Sequence, residues 1–243
     1  MKSWIWVWFS LLAVGCQSTG QDTHEEDFQL AQTAMTNGHA ENALSIYKQK
    51  LKESPDDPRL LFLAGSACNQ AARYDEALHY LVKGHQLAPS AAFERELGRA
   101  HLALGNISLA SAALEHSVVE RHQDDVALNS LGVSYALNRQ YGKARQSFQE
   151  ALTVRPDSEE YKNNLALSWL LDGQPQHSIE ILYPIYQRGE ASRKLRLNLA
   201  LSYAFMGRLD AARAIASQDL SKAELENNLE YYQRIASLEA PVW

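Results

Sequence analysis

Residues 125–156 read Asp-Val-Ala-Leu-Asn-Ser-Leu-Gly-Val-Ser-Tyr-Ala-Leu-Asn-Arg-Gln-Tyr-Gly-Lys-Ala-Arg-Gln-Ser-Phe-Gln-Glu-Ala-Leu-Thr-Val-Arg-Pro. Leu128, Leu131, Gly132 and Tyr135 fall at i, i+3, i+4 and i+7, the stripe of an amphipathic helix. Ala144, Phe148, Ala151 and Leu152 form a second stripe. Pro156 ends it, because proline lacks the amide hydrogen that a continuing helix requires. The stretch predicts two helices joined by a tight turn, crossing closely where Gly132 faces the second helix.

The same pattern recurs on both sides. Small residues stand at Ala31, Gly65, Gly98, Gly132, Ala166 and Ala200, at intervals of 34, 33, 34, 34 and 34. Twelve residues after each comes another: Ala43, Ala77, Ala110, Ala144, Ser178 and Ala212. Gly38, Gly105, Gly173 and Gly207 mark the turn inside a unit, and Pro55, Pro89 and Pro156 close its second helix. Asp57, and Asp157 with Glu160, read as N-caps of the next unit. A fixed period of this length is the mark of a stacked-repeat protein. Ser221-Lys222-Ala223-Glu224 has the spacing of a capping box and predicts a last helix over 221–238.

These residues resemble the tetratricopeptide repeat (TPR) pattern. The fourth unit matches it through Leu128, Leu131, Gly132, Tyr135, Ala144, Phe148, Ala151 and Pro156, and the second through Leu61, Gly65, Tyr74, Ala77, Leu81 and Pro89. The resemblance implies an all-α, right-handed superhelical solenoid of about six helix pairs with a C-terminal capping helix. Four units depart from it, with Asp27, Glu94, Lys162 and Arg196 where a large residue is usual. Phe93, Tyr161 and Leu195, one place earlier, are expected to substitute in three. Pro184 falls inside the second helix of the fifth unit and is expected to kink or shorten it.

The N-terminus carries a different signal. Met1-Lys2 precedes an uncharged apolar run from Ser3 to Val14, followed by Gly15-Cys16. The run is shorter than the ~20 residues of a membrane-spanning helix and fits a secretory signal. Ala13-Val14-Gly15-Cys16 resembles a bacterial lipobox, although the usual Leu three places before the cysteine is displaced to Leu12. That resemblance implies lipidation at Cys16, and Gln17 in place of Asp implies the outer membrane. The expected organisation is a lipoprotein signal over 1–15, a flexible tether over 16–23, the solenoid over 24–226 and the cap over 221–238. With Cys16 acylated, Cys68 is left as a small buried hydrophobe.

Composition narrows the chemistry. The 243 residues are 46% hydrophobic, with 23 Lys and Arg against 29 Asp and Glu and a net charge of −6. This acidity argues against a nucleic-acid surface, which needs clustered basic side chains. No cofactor, metal or catalytic set is expected. Gly142-Lys143-Ala144 lacks the rest of a phosphate loop, and Ser45-Ile46-Tyr47-Lys48 has no companion motif. His122 with Asp124 and Asp125 reads as a solvated loop before a cation site. His101 is expected to be a hydrogen-bonded core histidine, and Tyr135, Trp169 and Tyr203 share its stripe.

A protein-binding surface is therefore the expected function. In TPR proteins the first helix of each pair lines a concave groove, and the resemblance maps that groove onto Phe28, Gln32, Phe62, Ser66, Asn69, Arg95, Arg99 and Leu102. In the C-terminal half it continues through Asn129, Val133, Asn163, Leu167, Leu170, Leu197, Asn198 and Leu201. The apolar C-terminal half suits an amphipathic helix or a hydrophobic tail. The asparagines, with Asn164, recur one repeat apart and are either amides for an extended ligand or partners of neighbouring backbone. Phe28 and Gln32 replace the Lys and Asn of the chaperone-binding carboxylate clamp. Asn163-Asn164-Leu165-Ala166-Leu167, Ile181-Leu182-Tyr183-Pro184, Asn198-Leu199-Ala200-Leu201 and Asp219-Leu220-Ser221 before Asn228-Leu229-Glu230-Tyr231 resemble the TadD family of TPR lipoproteins. That family serves tight-adherence (Flp) pilus assembly, so the resemblance implies an outer-membrane adaptor, pilotin-like toward the pilus secretin. Other outer-membrane TPR lipoproteins, serving type IV pili or cell-wall enzymes, are the alternative.

Overall fold

The close approach of small and large side chains sets the architecture. In the computed structural model, which describes residues 19–236, a Cβ placed on Gly65 would lie 2.5 Å from Leu81. On Gly98 it would lie 2.5 Å from Leu114, and on Gly132 2.5 Å from Phe148. Each of these glycines is therefore required by its partner, and the larger side chain fills the space the glycine leaves. Ala31, Ala166 and Ala200 hold the same position in the other units and are at most 1% exposed.

Among the described residues, thirteen helices follow from this seam. They pair as α1 (Thr19–Thr36) with α2 (Ala40–Glu53), α3 (Pro58–Gln70) with α4 (Tyr74–Leu87), and α5 (Ala91–Ala103) with α6 (Ile107–Glu120). The series continues with α7 (Asp125–Leu137) and α8 (Tyr141–Val154), α9 (Glu159–Leu171) and α10 (Pro175–Gln187), and α11 (Arg193–Phe205) and α12 (Leu209–Ala216). The last helix, α13 (Lys222–Ala236), packs on α11 and α12. Each helix packs on the next. The odd helices also touch in series, α3 on α5, α5 on α7, α7 on α9, α9 on α11 and α11 on α13. The odd helices thus form the inner wall of a solenoid and the even helices its outer wall. Among the described residues no helix is long and apolar enough to cross a membrane.

Turn and cap chemistry explain where the helices stop. Gly38, Gly105, Gly173 and Gly207 have φ between 73° and 78°, the left-handed region that costs glycine nothing. Units two and four place Ala72 and Arg139 at that point, both with φ 58°. Helices α2, α4 and α8 end two residues before Pro55, Pro89 and Pro156. Asp57 accepts from the amides of Arg59 and Leu60 at 2.8 and 3.3 Å, and Asp124 from that of Ala127 at 3.0 Å. At the fifth unit the cap is Ser158, not Asp157, because α9 starts at Glu159 and only Ser158 reaches the amide of Tyr161. Ser221 and Glu224 bond reciprocally, Ser221 N–H to Glu224 Oε2 at 2.8 Å and Glu224 N–H to Ser221 Oγ at 3.4 Å.

Two expectations change. The first helix begins at Thr19, inside the stretch read as a flexible tether. Helix α10, with Pro184 inside it, runs on to Gln187 and has 13 residues against the 14 of α8, and the proline is exposed. His101 is half-buried, but its Nδ1 has no hydrogen-bond partner, and burial pulls its pKa below the usual histidine value. The substituted large residues are in place: Phe93, Tyr161 and Leu195 are 4%, 3% and 0% exposed. Cys68 is fully buried, and burial pushes its thiol pKa up to about 12.

Two glycines in helices separate the seam from propensity. Gly132 is crowded by Phe148, while a Cβ on Gly142 in α8 meets nothing within 4 Å. Gly132→Ala is expected to lower stability by about 1 kcal/mol or more, against its helix propensity. Gly142→Ala is expected to raise it by about 0.5–1 kcal/mol. Urea unfolding of the two variants checks both signs.

Candidate peptide-binding face

The inner wall is built of two chemically different halves. In the N-terminal half, Glu96 of α5 is a carboxylate only 2% exposed. Arg99 Nη1 donates to both its oxygens at 3.1 and 2.9 Å, and Arg95 Nε to Oε1 at 3.0 Å. Arg95 Nη1 also donates to Asp124 at 2.8 Å. Burial works against the charge on Arg95, but the Glu96 and Asp124 carboxylates outweigh it and hold its pKa above the usual value. From α3, Asn69 Nδ2 donates to the Glu96 carbonyl and to Glu96 Oε2, both at 2.9 Å. The expected groove residues Asn69, Arg95 and Arg99 thus form one cluster that ties α3, α5 and α7 together. Phe62 packs edge-on to Phe93 with ring centroids 5.3 Å apart, and Leu102 is half-buried.

Asp124 caps α7 while it holds Arg95, and Asp125 takes the Tyr161 hydroxyl and Arg155, both at 2.7 Å. Both carboxylates beside His122 are therefore engaged with protein groups. Among the described residues no cluster of three His, Cys, Asp or Glu is arranged to hold a metal ion.

In the C-terminal half the asparagines bond to one another. Asn164 Nδ2 donates to Asn129 Oδ1 and Asn198 Nδ2 to Asn163 Oδ1, each at 2.9 Å. Asn129 Nδ2 reaches Glu160 at 3.3 Å. Asn129 and Asn163 are 7% and 2% exposed. The ladder thus joins the helices of successive repeats, and the amide oxygens that accept from it are occupied. Leu170 lies in the core at 1% exposure and is not on the groove wall. Leu197 and Leu201 are half-buried on α11.

Val133 and Leu167 do share an opening. With Ala136, Leu137, Asn164, Ser168 and Leu171 they line a cavity of about 150 Å³ between α7 and α9, floored by Phe148. That volume suits one large aliphatic or aromatic side chain. Leu137, at 59% exposed, forms its rim. Ala136, Leu137 and Leu171 lie one helical turn beyond the residues read from the sequence, at i+3 and i+4 from Val133 and i+4 from Leu167. Glu96 was legible only as an acid three residues before Arg99. On the edge of this half, Arg145 stacks 3.9 Å over the Trp169 ring, bonds Asp172 at 2.7 Å, and leaves Trp169 half-buried against His177. Tyr203 is buried, whereas Tyr135 is half-buried and donates to Glu115 at 2.8 Å. Cys16 lies outside the described residues.

The comparisons with known proteins agree with the repeat fold. The tetratricopeptide repeat family pattern matches residues 28–92 and 95–160, more than half the chain. This chain belongs to the tetratricopeptide repeat family, a family of protein-interaction scaffolds. It is 25% identical to the human tetratricopeptide repeat protein 7A over 174 residues, 64% of this chain but only 20% of that protein. Among solved structures it resembles PilW, described as a widely conserved type IV pilus biogenesis factor, with a TM-score of 0.74. The likeness covers 85% of this chain and 98% of PilW at 18% identity. Pseudomonas aeruginosa PilF matches with a TM-score of 0.68 over 87% of this chain and 98% of its own, at 12% identity. At these identities the likeness is one of fold.

Several half-buried hydroxyls give the solenoid an alkaline limit. Burial and then the Glu76 carboxylate push Tyr80 up to about 12, and burial and the bond to Glu115 push Tyr135 to the same value. Each group is more readily ionised when unfolded, so its stabilising contribution is complete below its unfolded pKa and is lost as pH climbs to its folded pKa. Together with Cys68, they predict stability that is level up to about pH 8.5 and falls steadily toward pH 12. Tyr135→Phe is expected to make that fall shallower; urea midpoints between about pH 8 and 11.5 measure it.

Proposed function

We propose that this chain is a non-enzymatic, lipid-anchored adaptor for Flp (tight-adherence) pilus assembly, pilotin-like toward the outer-membrane secretin. The observation that carries the reading is the apolar cavity at Val133 and Leu167, set in an inner wall whose asparagines bond to one another. Such a wall takes a hydrophobic side chain of an amphipathic helix or tail more readily than the backbone of an extended strand. The lipobox-like Ala13-Val14-Gly15-Cys16 supports attachment to the inner leaflet of the outer membrane. Anchoring concentrates the captured segment at the membrane, where the secretin multimer forms. The fold likeness to PilW over 98% of its length favours a second reading, an adaptor for type IV pili.

The test is copurification from detergent-solubilised envelopes in the native host. The expected result is recovery of a pilus secretin, with at least a tenfold loss for Leu167→Glu while the circular dichroism of the variant stays native. Binding that survives Leu167→Glu excludes the C-terminal half of the inner wall as the site. Cys16→Ser is expected to move the protein from the membrane to the soluble fraction, and an unchanged membrane fraction would refute the anchor.

A further inference from the structure

The cavity at Val133 and Leu167 has a charged neighbour on α5. Arg99 stands 34 residues before Val133, Val133 34 before Leu167 and Leu167 34 before Leu201, so the four hold one position on successive odd helices. The column runs from a cation to three apolar side chains. Helix α5 packs on α7, and the axes of packed helices lie about 8–10 Å apart. The base of the Arg99 side chain is therefore about one helix width from that of Val133. On the other side of the cavity Leu197 and Leu201 of α11 are half-buried and apolar.

Pairing with Glu96 leaves this cation accessible. The cluster balances two arginines against two carboxylates, yet the side chains of Glu96 and Asp124 are 2% and 6% exposed while those of Arg95 and Arg99 are 21% and 40% exposed. A ligand in the groove thus meets guanidinium N–H groups before carboxylate oxygens. Among the described residues Arg99 bonds through Nη1 alone, to the two Glu96 oxygens. A guanidinium takes a carboxylate through two parallel hydrogen bonds, and the Nε–Nη2 edge of Arg99 has the donors for one such pair. Because Glu96 already holds Nη1, less side-chain freedom is lost when that edge binds. We infer that the inner wall selects an acidic amphipathic helix of a partner protein. One large apolar side chain of that helix enters the cavity between α7 and α9, and an Asp or Glu side chain pairs with the Nε–Nη2 edge of Arg99. Residues four or seven apart share a face of a helix and stand about 6 or 10 Å apart along it, which matches the separation of the two sites. The inference rests on reading the inner wall as a groove for an apolar helix, and adds a charge and a direction to it. The acidic end of the occupant lies toward α5 and its apolar end toward α11.

Peptide selection on the full chain tests it. A phage library of 16-residue random peptides is used, each fused at its C-terminus to the coat protein so that every carboxylate in the peptide is a side chain. The expected result is at least tenfold enrichment of peptides with a large apolar residue and an Asp or Glu four or seven residues away. Arg99→Gln is expected to keep the apolar residue and lose the acidic preference. Arg95 still pairs with Glu96 in that variant, and circular dichroism checks that it stays folded. For one selected peptide, changing its acidic residue to the amide is expected to weaken binding to the parent chain at least fivefold by fluorescence anisotropy. The same change should leave binding to Arg99→Gln unaltered. Selected peptides that keep the apolar residue without an acidic preference, or that keep the preference with Arg99→Gln, overturn the role of Arg99 and leave the groove reading standing. If no peptide is enriched, or if Leu167→Glu enriches the same peptides, the groove reading fails and this inference fails with it.

Discussion

One steric constraint sets the rest of the structure: in the helix pairs of units two, three and four a glycine must lie under a large side chain. Gly65 under Leu81, Gly98 under Leu114 and Gly132 under Phe148 leave no room for a Cβ. That approach sets the distance between the paired helices, and the pair then presents matched faces to its neighbours. Because a small buried residue, Gly or Ala, recurs at the same position in all six pairs, the pairs stack in register, and the odd helices come together along one wall. A similar contact joins two pairs, where a Cβ placed on Gly84 would lie 2.5 Å from Phe93. The surface that can meet a partner is thus a by-product of packing inside each unit.

The inner wall divides its labour by charge and polarity. Its N-terminal half carries opposite charges that neutralise one another around Glu96, which binds three odd helices together. Leaving such a buried carboxylate without its arginines would be costly, so this half is a brace. In its C-terminal half asparagine amides join the odd helices, alongside the Arg196–Asp219 ion pair, and the space left between α7 and α9 is apolar.

The repeat was legible in the sequence because its defining contacts lie at fixed separations. Gly65 to Leu81, Gly98 to Leu114 and Gly132 to Phe148 are each sixteen residues apart, so one phase exposes all of them. The helix ends were legible for similar reasons, through Pro55, Pro89, Pro156 and Asp57. Side-chain partnerships were not. The asparagine recurrence showed which amides come near each other, but not that Asn164 would turn to Asn129 and Asn198 to Asn163. Leu170 looked like groove because it shares a helix with Leu167; three residues round the helix is enough to turn it into the core.

The proposed function rests on an inner wall that would take an apolar segment through its C-terminal half. Amide hydrogen exchange across the whole chain, with and without a peptide from the secretin proposed as its partner, tests this most directly. The predicted result is slowed exchange in α7 and α9 around residues 133–137 and 164–171, with the even helices of the outer wall unchanged. Protection confined to the outer wall, or to the charged brace around Glu96, would contradict it.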